Sequence, residues 1–321
     1  NMLIRYMQDE VVAIIDPEKK GLTSNDVIQI GGDIPVVGSF NDAKKYNPDH
    51  LVIGNAPQGG IVSTQMFVEI KEAIRNGINI ISGMHKFLSK DIHLQKLAEQ
   101  FGSKIIDLRM PPSPPSFSEG SWRKRNIPVL LVVGTDCDTG KMTTAWEIKT
   151  RLSDLNKKVK FIGTGQTGIL LSDGIAIDAV ISDFMSGEIE NLIDTKVAND
   201  TDLIIVEGQG ALSNYAYSGV TLGLMHGCMP DYLILTHDPT RSKDVMGYKM
   251  PDIKDLMQIH IDLMSPFKRS SFLGINLLTF EMGESIAKNT ISEFESLYKL
   301  PTTDLIRFGD SNLIKSIYNL I

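Results

Sequence analysis

Short apolar runs alternate with stretches of helical spacing through the first ~110 residues, the pattern of parallel strands joined by helices. Strands are expected at residues 11–15, 35–37, 51–53, 78–81 and 104–107. A helix is expected over 64–76, with Ser63 placed to cap it and Gly77 to end it. Another is expected over 88–101, where Leu88, Ile92, Leu94, Leu97, Ala98 and Phe101 share one face ahead of Gly102. The reading is a Rossmann-like domain over 2–110. The run "RMPPSPPSFSEGSWRKRN" then breaks the pattern, and its four clustered prolines favour an extended connector. A Pro-rich linker is therefore expected at 111–126, with a second domain over 127–321.

The second series is again α/β. Strands are expected at 129–133, 159–162, 203–206, 232–236 and 272–277, and helices at 141–155, 188–198, 252–263 and 284–297. Short buried strands alternating with helices imply a doubly wound parallel sheet covered on both faces.

The sharpest chemistry is "VLLVVGTDCDTGKMTTA", residues 129–145. An apolar strand enters, glycines 134 and 140 permit a tight turn, and a helix leaves. Backbone N–H groups of such a loop converge on an anion, aided by the helix dipole. Gly134, Thr135, Asp136, Cys137, Asp138, Thr139, Gly140, Lys141, Met142, Thr143 and Thr144 are the candidate phosphate-binding residues of a P-loop. Lys141 is expected to reach the phosphate oxygens. Five residues separate the glycines where the usual pattern has four, and Met142 stands where a hydroxyl normally ligates Mg²⁺. No metal ligand set is assigned, and the magnesium site is either remodelled or absent. Cys137 sits where a helix N-terminus would lower a thiol pKa, but with no paired base it reads as loop filling.

"DLIIVEGQGAL" (202–212) ends an apolar strand on Glu207, a position near the loop because ligands collect at the carboxyl ends of parallel strands. "GTGQTGIL" (163–170), "SDFMSGE" (182–188) and "THDPTR" (236–241) are expected to bring further polar groups, Gln166, Asp238 and Arg241 among them, to the same edge. Arg241 could pair with a carboxylate or phosphate or simply be solvated. His237 reads as acid–base or as hydrogen-bonded structure. In the first domain, "VIGNAPQGG" (52–60) and "SGMHKFL" (82–88), which carries Lys86, follow strands without the dinucleotide fingerprint. Both are candidates to close over a ligand.

Composition narrows the classes. The chain has 321 residues, 42% hydrophobic and 22% charged, with net charge −7 and a pI near 5.4. That balance argues against nucleic acid as a partner. No apolar run reaches the ~18 residues that span a bilayer. Two cysteines without metal spacing, and no secretory leader, point to the cytoplasm. Asn1 ahead of Met2 reads as a tag remnant.

The loop and "VEGQG" resemble the dethiobiotin synthetase branch of P-loop proteins. The ordered set "APQGG", "SGMHKFL", the Pro-rich run, "GTDCDTGKMTTA", "GTGQTGIL", "VEGQGAL" and "HDPTR" is similar to the D-glutamate N-acetyltransferase family, over nearly the whole chain. The resemblance implies acetyl-CoA as cosubstrate and transfer of an acetyl group to the amino group of D-glutamate or a similar small amino acid. Glu207 or Asp238 is then the expected base, with Lys141 on the donor's pyrophosphate and Lys86, Gln166 and Arg241 toward the acceptor. A P-loop that binds coenzyme A without hydrolysis has no need of the missing hydroxyl, so Mg²⁺ is doubtful as a cofactor. The competing expectation is an ATP-dependent carboxylate-activating enzyme or nucleotide-binding protein of the dethiobiotin synthetase type. A homo-oligomer is expected, with small molecules rather than nucleic acid or membrane as partners.

Overall fold

The computed structural model describes residues 1–54, 63–309 and 312–321. The chain divides into two compact units, Asn1–Met110 and Pro111–Ile321.

In the first unit, β1 (Ile14–Ile15) and β2 (Val36–Val37) form a short parallel pair. A separate three-stranded parallel sheet holds β3 (His50–Ile53), β4 (Asn79–Ser82) and β5 (Ile105–Asp107) in that order. The helix Thr64–Arg75 starts where Ser63 Oγ accepts from Met66 N at 3.1 Å. Its Ile70, Ala73 and Ile74 pack with Phe40, Ile80, Leu88 and Leu94 in one core. The helix expected over 88–101 is two elements. Residues Leu88–Lys90 form a 3-10 turn, and the α-helix Ile92–Phe101 begins only after Asp91, whose Oδ1 accepts from His93 N and Leu94 N. A capping carboxylate in extended backbone restarts the helix, which the apolar spacing alone concealed.

Among its described residues the second unit carries six strands: β6 (Val129–Gly134), β7 (Val159–Ile162), β8 (Leu203–Val206), β9 (Tyr232–His237), β10 (Ser271–Leu277) and β11 (Thr302–Thr303). All pairings are parallel, in the order β11-β10-β9-β6-β8-β7. Strand side chains alternate between faces, and β6 shows the consequence. Val129, Leu131 and Val133 enter one core with Ile189, Ile193, Leu224 and Met225. Leu130 and Val132 enter the opposite one with Ala145, Ile148, Leu152 and Ile314. Each such buried aliphatic side chain stabilises the sheet by about 1.5–3 kcal/mol of transfer free energy.

One expectation needs correction here. "SDFMSGE" is not a strand-edge loop but the opening of the helix Ser182–Lys196. The proline-rich segment is bonded to that helix. Glu188 Oε1 accepts from Ser116 N at 2.6 Å, and Glu190 accepts from Glu119 N at 2.8 Å and from Ser121 N. Burial would raise the Glu190 carboxyl pKa, but these N–H donors outweigh it and hold the group low. Gly187 lets the segment lie against the helix, because a Cβ there would run into the Ser116 carbonyl oxygen. No helix among the described residues is long and apolar enough to cross a membrane.

Candidate active site

Strand order changes direction at β6, whose neighbours β8 and β9 lie on opposite sides, so a crevice opens beyond its carboxyl end. The P-loop fills that position. Gly134 must be glycine because a Cβ there would meet Thr139 Oγ1 well inside contact distance and Lys141 Nζ at 3.0 Å. Asp138 and Gly140 take the left-handed conformation (φ +58° and +85°), which curls the chain into the helix Lys141–Asp154. No side chain caps that helix, so its first N–H groups and dipole are presented to the loop. Lys141 is buried and folds back, Nζ donating to Asp136 O at 2.6 Å. Burial lowers its pKa, against the pull of neighbouring anionic groups that include Asp138, Asp136 and Glu207.

Asp136 organises the surroundings. It is fully buried and accepts from Asn214 Nδ2 (2.9 Å), Val245 N (2.6 Å) and the Arg241 guanidinium. Burial alone would raise its pKa, but these donors and the Cys137 N–H keep it below the ordinary carboxylate value. Arg241 also donates to Cys137 O at 2.9 Å. The side chain expected to hold a substrate carboxylate is therefore committed to the loop itself. Ser213 Oγ donates to Thr135 O (2.9 Å), and Thr135 Oγ1 is hydrogen-bonded to His237 Nδ1 (2.9 Å). His237 stacks on Phe294 and is kept neutral, its pKa pushed down to about 4 by burial. It props the loop.

Glu207 stands one residue past β8. Its Oε2 accepts from Thr164 N (2.9 Å) and Gly165 N (3.1 Å), while Thr164 Oγ1 donates back to Glu207 O (2.7 Å). These bonds fix the start of the short helix Gln166–Leu171. Gly168 admits Glu207, since a Cβ at 168 would overlap Oε2. Gly208 in turn allows the strand end to pass against the Val132 carbonyl. Burial raises the Glu207 pKa to about 7, partly offset by the two N–H donors and the Lys141 charge. A carboxyl poised there exchanges protons near neutrality.

The remaining candidates fall less centrally. Asp238, just past β9 and across the loop from Glu207, accepts from Thr240 N (2.9 Å) and Thr240 Oγ1 (2.7 Å), an arrangement that shapes its own turn. The Cys137 thiol pKa is raised rather than lowered, because burial outweighs the Lys141 charge and the flanking aspartates add to the rise. Thr144 points into the core, accepting from Asn276 Nδ2 at 2.9 Å. Met142 and Thr143 belong to the first turn of the helix. Lys86 lies in the first unit with Nζ 6.0 Å from the Phe67 ring centre. Of "VIGNAPQGG", residues 55–60 lie outside the described residues. Asn214 and Val245 were missed in the sequence. Their partner is 78 and 109 residues away, and only the Asn beside "GQGAL" hinted at a polar anchor.

Comparison with known proteins agrees with this geometry. Residues 17–111 match a domain of unknown function (DUF1611_N) described as Rossmann-like, and residues 116–314 match its P-loop partner (DUF1611_C). A protein of Tritonibacter scottomollicae named D-glutamate N-acetyltransferase is 36% identical over 283 residues, 87% of this chain and 84% of that one. Another of that name, from a Pseudoalteromonas species, is 34% identical over 287 residues, with the same coverage. The crystal structure of a DUF1611 family protein from Anabaena variabilis superposes with a TM-score of 0.93 at 31% identity, covering 99% of this chain and 94% of that one. The chain belongs to the D-glutamate N-acetyltransferase family, in which a Rossmann-like N-terminal domain precedes a P-loop domain.

Proposed function

We propose that the protein transfers the acetyl group of acetyl-CoA to the amino group of D-glutamate. The observation that carries this reading is the juxtaposition of a P-loop lacking the magnesium hydroxyl at Met142 with Glu207, buried and with its pKa raised to about 7. The names of relatives at 36% and 34% identity supply the reaction class.

The loop N–H groups and Lys141 hold the donor's pyrophosphate as a fixed anion site, with no phosphoryl bond broken. The acceptor enters as an ammonium ion and gives one proton to Glu207. The freed amine adds to the thioester carbonyl carbon. The tetrahedral intermediate collapses with C–S cleavage, and the nitrogen loses its second proton. Products are the N-acetyl amino acid, the thiol of coenzyme A and one proton. Glu207 is suited to the first transfer because burial brings its pKa near the working pH. Gln166, at the first position of the helix that follows Gly165, is the residue we assign to the acceptor.

Glu207→Gln tests the assignment, since it keeps a side-chain acceptor for the Thr164 and Gly165 N–H groups and removes the base. Turnover with acetyl-CoA and D-glutamate is expected to fall by roughly 10²–10⁴-fold, the usual value of general-base catalysis. Unchanged turnover would remove Glu207 from the mechanism.

A further inference from the structure

Two loops leave the sheet beside the phosphate loop, one after β8 and one after β9, and both are bonded to Asp136. Asn214 anchors the first and Val245 N the second. Their outer parts carry Tyr215 and Tyr248, whose rings meet edge to face with centroids 5.4 Å apart. Neither ring is covered: Tyr215 is 67% exposed and Tyr248 61%. Val245, Met246 and Tyr217 are exposed beside them. Aromatic surface gathered next to a binding loop differs from single scattered apolar residues, because contiguous exposed apolar area marks ligand or partner contact.

The two loops hold these rings firmly. Asn214 Oδ1 accepts from Ala216 N (3.0 Å), and Asn214 O accepts from Tyr217 N (3.1 Å), which fixes the chain on either side of Tyr215. Tyr248 is held twice by one residue. Its N–H donates to Asp244 Oδ1 (2.8 Å), and its carbonyl accepts from Asp244 N (2.8 Å). Tyr215 follows Asn214 directly, one Cα step of ~3.8 Å from a residue that touches the phosphate loop. The pair is thus carried by two loops that are both anchored on Asp136 of the phosphate loop. Exposed tyrosine rings beside that loop suit a planar heterocycle, which stacks on tyrosine without need of specific hydrogen bonds.

We propose that the Tyr215–Tyr248 pair is the platform that receives the purine base of the P-loop's phosphorylated ligand, one ring stacked on the base and the other, at 90° to it, against the edge of the base. The proposal rests on the reading of that ligand as acetyl-CoA and assigns its adenine. Asp136 is then the residue that sets the distance between the two halves of the site, phosphates on one side and base on the other.

The test is calorimetric titration of the full-length protein with CoA, with adenosine 3′,5′-bisphosphate and with inorganic pyrophosphate. Wild type is compared with Tyr215→Ala, Tyr248→Ala, Tyr215→Phe and Lys141→Ala, with thermal midpoints and gel filtration as controls. Loss of a stacked base is expected to weaken CoA and the bisphosphate by roughly five- to hundredfold in the alanine variants. Tyr215→Phe keeps its affinity, because the ring and not the hydroxyl does the work, and pyrophosphate binding is unchanged. Unaltered CoA affinity in both alanine variants, while Lys141→Ala weakens it, overturns the platform and leaves the donor reading intact. Equal losses for CoA and pyrophosphate overturn it as well, since that pattern means collapsed loops. A changed oligomeric state at constant CoA affinity overturns it in favour of a contact between copies of the chain. Failure of wild type to bind CoA or the bisphosphate removes the donor reading and the platform together.

Discussion

Asp136 and Arg241, 105 residues apart in sequence, are ion-paired within the phosphate loop, with Asp136 fully buried and Arg241 partly open to solvent. Removing the arginine leaves a buried carboxylate with one cation fewer, a loss that costs about 3–5 kcal/mol in fully buried pairs. Arg241 is partly solvated, and Asn214 and Val245 N remain, so a smaller cost of about 1–3 kcal/mol is expected for Arg241→Ala. The affinity for CoA should fall with it, because the same guanidinium holds Cys137 O in place. Urea melts and CoA titration check this. A stable variant with normal CoA affinity and a selective rise in the KM for D-glutamate would return Arg241 to the acceptor.

Lys141→Ala tests the loop's chemistry. A desolvated ammonium on phosphate is worth about 2–5 kcal/mol by truncation, so CoA affinity should drop by at least thirtyfold, about 2 kcal/mol converted at 1.4 kcal/mol per decade. The fold should persist, since among the described residues the lysine's hydrogen-bond partner is the loop carbonyl of Asp136. Equal dissociation constants for variant and wild type would remove phosphate binding from the account.

Glu207 links activity to pH and to stability. Its folded pKa, about 7, lies above the ordinary 4.5, so the folded state binds the proton more tightly than the unfolded chain. Its contribution is therefore fully present below pH 4.5 and is lost as pH rises through 7. At about 1.4 kcal/mol per pKa unit the total is on the order of 3 kcal/mol. Glu207→Gln should remove that slope from unfolding free energies measured between pH 5 and 8. The kcat/KM profile should rise with an apparent pKa near 7 in wild type and lose that limb in the variant.

Buried histidines act in the opposite sense. His260 has its pKa pushed down to about 4 by burial, and its Nε2 has no hydrogen-bond partner among the described residues. Its contribution is present above pH 6.5 and is lost as pH falls toward 4. His237 behaves likewise. Replacing His260 by leucine should shrink the stability lost between pH 7 and pH 5 by about 2 kcal/mol. The comparison is of urea midpoints at the two pH values, and an unchanged difference would show that His260 does not titrate in this range.

Much of this architecture was legible because its causes are local. Residues 203–206 are an apolar run between Asp202 and Glu207, residues 159–162 a short run broken only by Lys160, and both are strands over those residues. The phosphate loop announced itself through two glycines and a lysine at a strand–helix junction, and Glu207 through its place at a strand end. What stayed hidden depends on distant partners. Arg241 reads as a free cation until Asp136 is brought beside it. The roles of Gly187 and of the buried Glu188 and Glu190 stay hidden until residues 116–121 are laid across the helix they belong to. The division at Asp91 was missed because helical spacing continues through it while the cap acts on only two N–H groups.

The central claim is tested most directly by following release of the coenzyme A thiol from acetyl-CoA in the presence of EDTA. D- and L-glutamate and D- and L-aspartate are added in turn as acceptor. The account predicts release with D-glutamate, formation of its N-acetyl product by mass spectrometry, and no requirement for added Mg²⁺, since Met142 occupies the hydroxyl position. Release with none of these amino acids, together with Mg²⁺-dependent consumption of ATP on a small carboxylate, would contradict it.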